Sequence, residues 1–444
     1  MRLPIAIDDL APGGEGVGRS GARPVFVPFT APGDRVIAEV PAGEGPAHGT
    51  LVAIEEAGAA RVAPPCRHFG PRAGAPGTPP ADRECGGCEW LHVDYAAQLA
   101  AKARTVHEAL RRIGRFPPGS YQARPIVPSP AALRYRSRAK FHLDRGSGRL
   151  AFFRRRSHEP VRLEECHLLV PGLDALREAA GPALVAARLA PREVALEWSE
   201  EEGRGAAWLL LPEVTPAARE RASAFLAAVP PLVGVVLQAE GGPPATVGEP
   251  VLRHARVPGE PGRGLQRSRP DVFQQANRGA NARLVEVALG LLAPEGEEVL
   301  ELHCGAGNFT GPLAGRARAV AAVEVQGPAL ELARADLAEQ GAGKVRFFAG
   351  DALRLALALA REPGGGKRFG AALLDPPREG AKGIGTALRD LAVARAVYVS
   401  CDPATLARDL RDCAAAGYRL EAVVPVDMFP QTHHVEAAAL LVKA

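Results

Sequence analysis

The sequence predicts an α/β chain in three parts: a small β-barrel over residues 1–60, a central α+β segment over 61–262, and a doubly wound, Rossmann-like α/β domain over 263–444. Three observations predict it. The opening residues alternate short β-type runs with Gly/Pro turns. The middle carries spaced cysteines, one amphipathic helix and a strongly basic hairpin. From about residue 270, apolar runs of strand length alternate with helical stretches, the pattern of a mostly parallel sheet with helices on both faces.

In the first part the β-type runs fall at 3–7, 25–29, 35–40 and 50–54, punctuated by Gly13-Gly14, Pro32-Gly33 and 43–46. Short strands at this spacing suggest a small barrel. The glycine-rich stretch 9–19 follows no buried strand and opens no helix, so it reads as a tight, exposed loop of the barrel and not as a dinucleotide site.

The middle part opens with Cys66, Cys85 and Cys88, the first separated from the pair by a Pro/Gly-rich stretch over 70–84. Tyr95, Leu99, Val106, Leu110 and Ile113 recur at mostly helical spacing and predict a helix over 93–113. A β-hairpin is expected over 134–163, turning at 144–148, with Cys166 just beyond it. Segment 131–160 holds nine Arg or Lys against Asp144 and Glu159, a surplus of seven positive charges in a chain whose net charge is +4. A solvated strand face and a phosphate-neutralising surface both fit that cluster. Residues 170–255 alternate helix and strand patterns without a chemical motif.

Composition bounds the rest. With 47% hydrophobic and 23% charged residues the chain is an ordinary globular one, and 49 Gly and 41 Pro are frequent enough that isolated ones carry little weight as signals. No run of about 18 apolar residues exists, so no membrane span is expected. Residues 1–9 carry acids where a signal peptide needs its apolar stretch, which points to a cytoplasmic protein. Seven cysteines in that compartment point to metal or catalysis and away from disulfides.

In the last part a helix over 276–292 precedes strands expected at 298–302, 319–323, 345–348, 371–374 and 396–400, with helices at 328–340, 351–361 and 384–392 between them. Ligands of such sheets bind beyond the carboxyl ends of the strands. There the first strand runs into Glu301-Leu302-His303-Cys304-Gly305-Ala306-Gly307-Asn308-Phe309-Thr310, whose glycines let backbone approach a ligand. The next strand ends at Glu324, suited to two ribose hydroxyls, and the third at Gly350-Asp351, suited to an adenine edge. The loop lacks the Lys-Ser/Thr of a P-loop. A nucleoside-bearing ligand fits, and a plain nucleotide-binding domain stays open beside it.

Cys401, in Val399-Ser400-Cys401-Asp402-Pro403-Ala404-Thr405, sits just past a strand. A free thiol titrates near about 8.5, so a nucleophile needs help, which the amino terminus of a helix starting near Thr405 is expected to supply. Asp375, in Asp375-Pro376-Pro377-Arg378, and Glu436, after Phe429-Pro430-Gln431-Thr432-His433-His434-Val435, lie at the same edge. A thiol with two carboxylates suits nucleophile and base chemistry on an electron-poor ring. His433 and His434 compete as bases, with loop roles favoured.

Together these segments resemble the RNA uracil-5 methyltransferase family, in its ribosomal RNA branch with an amino-terminal TRAM barrel and an iron–sulfur cluster. The barrel motif at 9–19, Phe273-Gln274-Gln275-Ala276-Asn277, the loop 302–310, Asp375–Arg378, Ser400–Thr405 and 427–436 carry the resemblance, which is weakest over 170–255. It implies a class I methyltransferase domain. Gln275, Gly305, Gly307, Asn308, Glu324, Asp351 and Asp375 would hold S-adenosylmethionine. Cys401 would add to carbon 6 of a uracil, Glu436 would remove the carbon 5 proton, and Asp375 with Gln275 would hold the ring edge.

Cys66, Cys85, Cys88 and Cys166 resemble the family's cluster ligands. Their spacing alone suits zinc and iron–sulfur equally, and the resemblance implies a 4Fe–4S cluster. Eighteen residues separate Cys66 from Cys85, a longer gap than the family's, which costs little closure entropy. Glu301 and His303 replace a more usual Asp and aromatic. A radical enzyme would need three cysteines and an open iron, unlike four ligands far in sequence from the donor loop. A monomer acting on RNA, ribosomal before transfer RNA, is the expectation, with a non-catalytic RNA-binding protein as the rival that intact Cys401 and Glu436 disfavour. Cys304 and Cys413 are expected to be structural.

Overall fold

The computed structural model describes residues 1–71, 84–341, 343–362 and 369–444. The chain divides into two compact units. One comprises Met1–Lys102, Ala131–Leu252 and Phe429–His433, and the other Ala103–Pro130, Arg253–Met428 and His434–Ala444.

The first unit opens with β1 (Arg2–Leu10), β2 (Gly16–Ser20), β3 (Arg23–Val27), β4 (Arg35–Glu39), β5 (Ala47–His48) and β6 (Thr50–Glu56). They form one sheet in the order β5-β3-β2-β1-β4-β6, antiparallel except at β3/β5. Alternate residues Ile5, Ile7, Val25, Val27, Val36 and Ala38 are buried together, as the two-residue period of a strand requires. The glycine-rich stretch is not the exposed loop its composition suggested. Its second half is β2, and Gly16 and Gly18 are buried there. A Cβ on Gly18 would stand 2.0 Å from the Ala6 carbonyl oxygen, so close strand approach explains the glycines.

Helix α1 (Tyr95–Arg112) follows, then the two-residue β7 (Gln122–Ala123). A second sheet of the first unit contains β8 (Arg138–Asp144), β9 (Arg149–Phe153) and β10 (Pro160–Val161). After α2 (Pro171–Ala186) come β11 (Glu193–Ser199), β12 (Arg204–Leu211), α3 (Pro216–Ala228), β13 (Leu232–Ala239) and β14 (Ala245–Gly248). Its order is β10-β9-β8-β11-β12-β13-β14, with Phe141, Leu173, Leu184, Leu196, Leu209, Phe225 and Leu237 in its core. The expected hairpin is β8/β9, with His142 opposite Ala151. Its cations are largely spoken for. Arg134 meets Glu165, Arg138 meets Glu197 and Lys140 meets Glu193. Arg154 meets Glu84 and Glu159, while Arg155 and Arg156 share Glu15. Acids from distant sequence positions therefore balance most of the surplus, a pairing invisible in a local count.

The second unit adds the ribbon β15 (Leu252–Ala255) and β16 (Leu265–Ser268), then α4 (Arg278–Leu292), β17 (Glu298–Leu302), α5 (Thr310–Arg316), β18 (Ala319–Glu324), α6 (Gly327–Glu339), β19 (Val345–Ala349) and α7 (Ala352–Arg361). It closes with β20 (Ala371–Leu374), α8 (Ile384–Asp390), β21 (Arg395–Ser400), α9 (Pro403–Ala415), β22 (Tyr418–Val426) and β23 (Glu436–Lys443). The sheet order is β19-β18-β17-β20-β21-β23-β22-β7. β17 through β21 run parallel, and β23 is antiparallel to both its neighbours. The winding reverses between β17 and β20, and a crevice opens at such a switch point. Strands expected from sequence agree with these bounds to within a residue or two, because buried parallel strands read as unbroken apolar runs. Among the described residues no helix is long and apolar enough to cross a membrane.

Candidate active site

The site is built at the carboxyl edge of the second unit's sheet. Cys401 follows β21 directly. Antiparallel pairing sets Ser400 opposite Ala437 and thus brings the first residue of β23, Glu436, to the same edge. Asp375 directly follows β20, the strand next to β21, and its amide donates to the Leu302 carbonyl at 3.3 Å. Three residues dispersed over about sixty positions of chain are thereby gathered by strand order alone.

The turn bearing the thiol is fixed locally. Asp402 caps α9, its Oδ1 accepting from Thr405 N at 2.8 Å, with Pro403 in the first turn. Cys401 is half-buried. Burial above all, helped by the Glu436 and Asp375 charges, holds its thiol up at about 11, and Arg378 opposes them by charge and by a hydrogen bond. The expected lowering by the helix amino terminus is overturned: a carboxylate cap already occupies that end, and desolvation wins. Glu436 is 3% exposed, and its Oε2 has no hydrogen-bond partner. Burial also raises both carboxyls of the Asp375/Glu436 pair, the Asp375 charge raises Glu436 further, and Arg378 pulls Glu436 back.

Arg378 is the residue whose role the sequence did not reveal, although it stands in the Asp-Pro-Pro-Arg run. Its loop is anchored from α9. Asp409, 0% exposed, accepts at Oδ2 from Ala381 N and Tyr398 Oη, both at 2.7 Å, and Arg408 donates to the Glu379 carbonyl at 2.7 Å. Gly380 is obligatory there, since its φ is +79° and a Cβ would stand 2.3 Å from Asp409 Oδ2.

The glycine turn after β17 has His303, Gly305 and Gly307 at positive φ. Gly305 N donates to Glu324 Oε2 at 2.9 Å. Asp351 caps α7 through Arg354 N at 2.8 Å and is otherwise exposed. The His303 ring lies in the field of both acids, Glu324 and Asp351, while burial lowers its pKa. Asn308 departs from expectation: its amide exchanges two hydrogen bonds with Asn281, at 2.8 and 2.9 Å, so its side chain holds protein. Gln275 is half-buried in the turn before α4, and no hydrogen bond joins it to Cys401, Asp375 or Glu436 among the described residues. Asn277 beside it caps α4 and donates to Ser129 Oγ and the Met428 carbonyl. His433 belongs to the other unit and faces Glu89 at 3.5 Å.

In the first unit Cys66, Cys85, Cys88 and Cys166 line one small apolar hole with Phe69, Leu91, Phe152, Leu163 and Leu168. Burial raises all four thiols, and neighbouring cysteines of the set help raise those of Cys66, Cys85 and Cys88, with that of Cys85 reaching about 12. No pair is bonded as a disulfide. Among the described residues no three Cys, His, Asp or Glu side chains form a group that could hold a metal ion. Most of the long Cys66–Cys85 insertion, residues 72–83, lies outside the described residues. Cys304 and Cys413 are buried, with thiols pushed up by desolvation, as structural cysteines are.

A parallel sheet that reverses its winding beside a glycine turn, with an acid closing the next strand onto that turn, defines the class I methyltransferase fold. Comparisons with known proteins narrow this. Residues 262–444 match the family described as tRNA (Uracil-5-)-methyltransferase. A Pseudomonas aeruginosa protein, 23S rRNA (uracil(1939)-C(5))-methyltransferase RlmD, is 38% identical over 80% of this chain and 78% of its own. The protein of that name from Alkalilimnicola ehrlichii is 34% identical over 98% of this chain and 95% of its own. The chain belongs to the RNA uracil-5 methyltransferase family. The crystal structure of Pyrococcus abyssi tRNA (uracil-54, C5)-methyltransferase in complex with S-adenosyl-L-homocysteine shares the fold, with a TM-score of 0.74 at 22% identity and 100% of both chains covered.

Proposed function

We propose that this protein methylates carbon 5 of a uridine in 23S ribosomal RNA, with S-adenosylmethionine as donor and Cys401 as nucleophile. The observation that carries the proposal is the meeting of one thiol, two raised carboxyls and one guanidinium at the switch-point edge. Carbon 5 of uracil is a poor nucleophile until carbon 6 is saturated, and a thiolate supplies that saturation. The thiol proton passes to Asp375, whose raised pKa suits it to accept near neutrality. Cys401 Sγ bonds to carbon 6, and the ring π pair moves to an enolate that protonated Asp375 and Gln275 stabilise. Carbon 5 attacks the sulfonium methyl, the methyl–sulfur bond breaks, and S-adenosylhomocysteine leaves. Glu436 takes the carbon 5 proton, the ring double bond reforms, the thiolate is expelled and regains a proton from Asp375. Gly305, Gly307, Glu324 and Asp351 hold the donor, with the Asn308 backbone. The target base leaves its stack at a cost of a few kcal/mol.

The ribosomal substrate rests on the relatives named for 23S rRNA. Residues 1–60, read as a TRAM-like barrel, and 61–262 would grip the RNA while 263–444 carries the chemistry, in a cytoplasmic monomer. The four cysteines fit a 4Fe–4S cluster better than zinc. All four face one apolar hole, where they would hold the cluster as thiolates, and the resemblance to the family's cluster ligands favours iron–sulfur. Such a cluster would cross-link the segments bearing the cysteines.

The test is transfer of labelled methyl to 23S rRNA and to tRNA, both made without modifications, with mapping by mass spectrometry. Label at one uridine of 23S rRNA is expected. Label in tRNA alone overturns the substrate, and no label in either overturns the reaction.

A further inference from the structure

The donor turn runs into α5 with a defect. Helix residues Gly311 and Pro312 follow it, and Pro312 has no N–H for the Asn308 carbonyl. Gly311 N reaches the Gly307 carbonyl only at 3.5 Å. Both carbonyls precede the N-cap Phe309 and so have no donor within the helix ladder proper, at the point where the turn must hold its shape.

A side chain from just beyond β15 fills the gap. Arg256 Nη1 donates to the Gly307 carbonyl at 3.2 Å and to the Asn308 carbonyl at 3.3 Å. The guanidinium lies against Gly311, where a Cβ would stand 2.6 Å from Nη2. Its Nε and Nη2 are shielded from solvent and make no hydrogen bond, so burying this cation is costly. The cost is offset by the two carbonyl contacts and by the Asp336 charge, while the Arg278 charge adds to it. On the same side of the turn, Asn281 of α4 takes both hydrogen-bonding ends of the Asn308 amide. A cavity of about 620 Å³, lined by Arg256, Asn281, Asn308, Gly311 and Pro312 among others, lies behind the turn, so bulk packing does not hold it from that side.

We infer that Arg256 and Asn281 are positioning residues for the methyl donor, clamping the turn 305–308 from behind so that its glycines meet the donor in a preset shape. The inference rests on the donor-pocket reading above. Gly311 and Pro312 explain why an arginine is needed: the first makes room for the guanidinium, and the second removes the N–H it replaces.

The experiment is calorimetric titration of the full-length protein with S-adenosylmethionine, alongside steady-state kinetics, for wild type, Arg256→Met, Arg256→Lys and the double variant Arg256→Met/Pro312→Ala. Arg256→Met should weaken donor binding and raise the donor KM by about ten- to a hundredfold, the range expected for lost charge-assisted hydrogen bonds, with a much smaller effect on kcat at saturating donor. Arg256→Lys should recover part of the affinity. Pro312→Ala should recover part in the Met background, because it restores an N–H. A folded Arg256→Met protein that binds donor like wild type overturns the inference, as does a fall in kcat without a rise in KM. Should Arg256→Met not fold, Gly311→Ala, which displaces the guanidinium, reads the same contact by the same two criteria. A wild-type protein that binds no donor would instead overturn the donor-pocket reading itself.

Discussion

Gly305 donates its amide hydrogen to Glu324 Oε2 at 2.9 Å, joining the turn after β17 to the acid that ends β18. The other oxygen, Oε1, accepts from Val325 N and Gln326 N at 2.9 and 2.8 Å. Three backbone donors thus aim one carboxylate and take three of its roughly four acceptor sites, which leaves one on Oε2 for a ribose hydroxyl. Glu324→Gln should set an amide NH2 against a backbone N–H and lower donor affinity by about tenfold or more. Isothermal titration of the folded variant checks this, and unchanged affinity would remove Glu324 from the donor site.

Arg378 should govern the reactivity of the thiol. Burial and Glu436 hold Cys401 up near about 11, and Arg378 is the group that pulls it down. Arg378→Met should raise it further and slow alkylation of Cys401 by iodoacetamide at pH 8 by about tenfold, the worth of one charge-assisted hydrogen bond. Peptide-resolved mass spectrometry separates Cys401 from the other cysteines. An unchanged rate would show that the guanidinium does not act on the sulfur.

Glu301 makes a stability prediction. It is 0% exposed, and burial pushes it up to about 8, against the opposing pull of the Thr310 hydroxyl and the Arg256 charge. Between the ordinary carboxyl range and about 8 the folded protein keeps a proton that the unfolded chain has released, so stability falls as pH rises through that window. Glu301→Gln removes this dependence. Its melting temperature should exceed wild type at pH 9, by about 2–4 °C per kcal/mol relieved, and the gap should close toward pH 5. A variant less stable than wild type at pH 9 would contradict the account.

The cysteine pocket predicts a metal content. Protein purified without oxygen should carry about four iron atoms per chain, and Cys88→Ser should lose them together with thermal stability. Metal analysis decides, and zinc in place of iron would reverse the assignment.

Much of this was legible in the sequence, for reasons that differ by element. The strands β18, β20 and β21 announce themselves because they are buried and almost wholly apolar, whereas β17 carries Glu298 and Glu301 and the edge strand β19 carries Arg346 and is only partly buried. Cys401 and Glu436 could be named because each stands in a dense motif at a strand end, although only the antiparallel pairing of β21 with β23 explains why they meet. What stayed hidden depends on partners far away in the chain. The basic hairpin looked free because Glu15, Glu84, Glu193 and Glu197 lie elsewhere in the sequence. Asn308 sat in a donor motif, yet Asn281 claims its amide. The thiol was expected to be helped by a helix end, whereas desolvation outweighs any such help and Arg378 supplies the opposing charge. Gly16 and Gly18 resembled a loop because close strand approach and a tight turn call for the same residue.

The nucleophile itself can be caught. RNA carrying 5-fluorouridine at the target gives a methylated adduct that cannot be released, because Glu436 has no proton to remove from carbon 5. Incubation with S-adenosylmethionine should yield a stable protein–RNA species whose RNA remnant maps to Cys401, and Cys401→Ala should form none while still binding RNA. A wild-type protein that methylates ordinary RNA but forms no such species, or forms it on another residue, would contradict the assignment of this thiol.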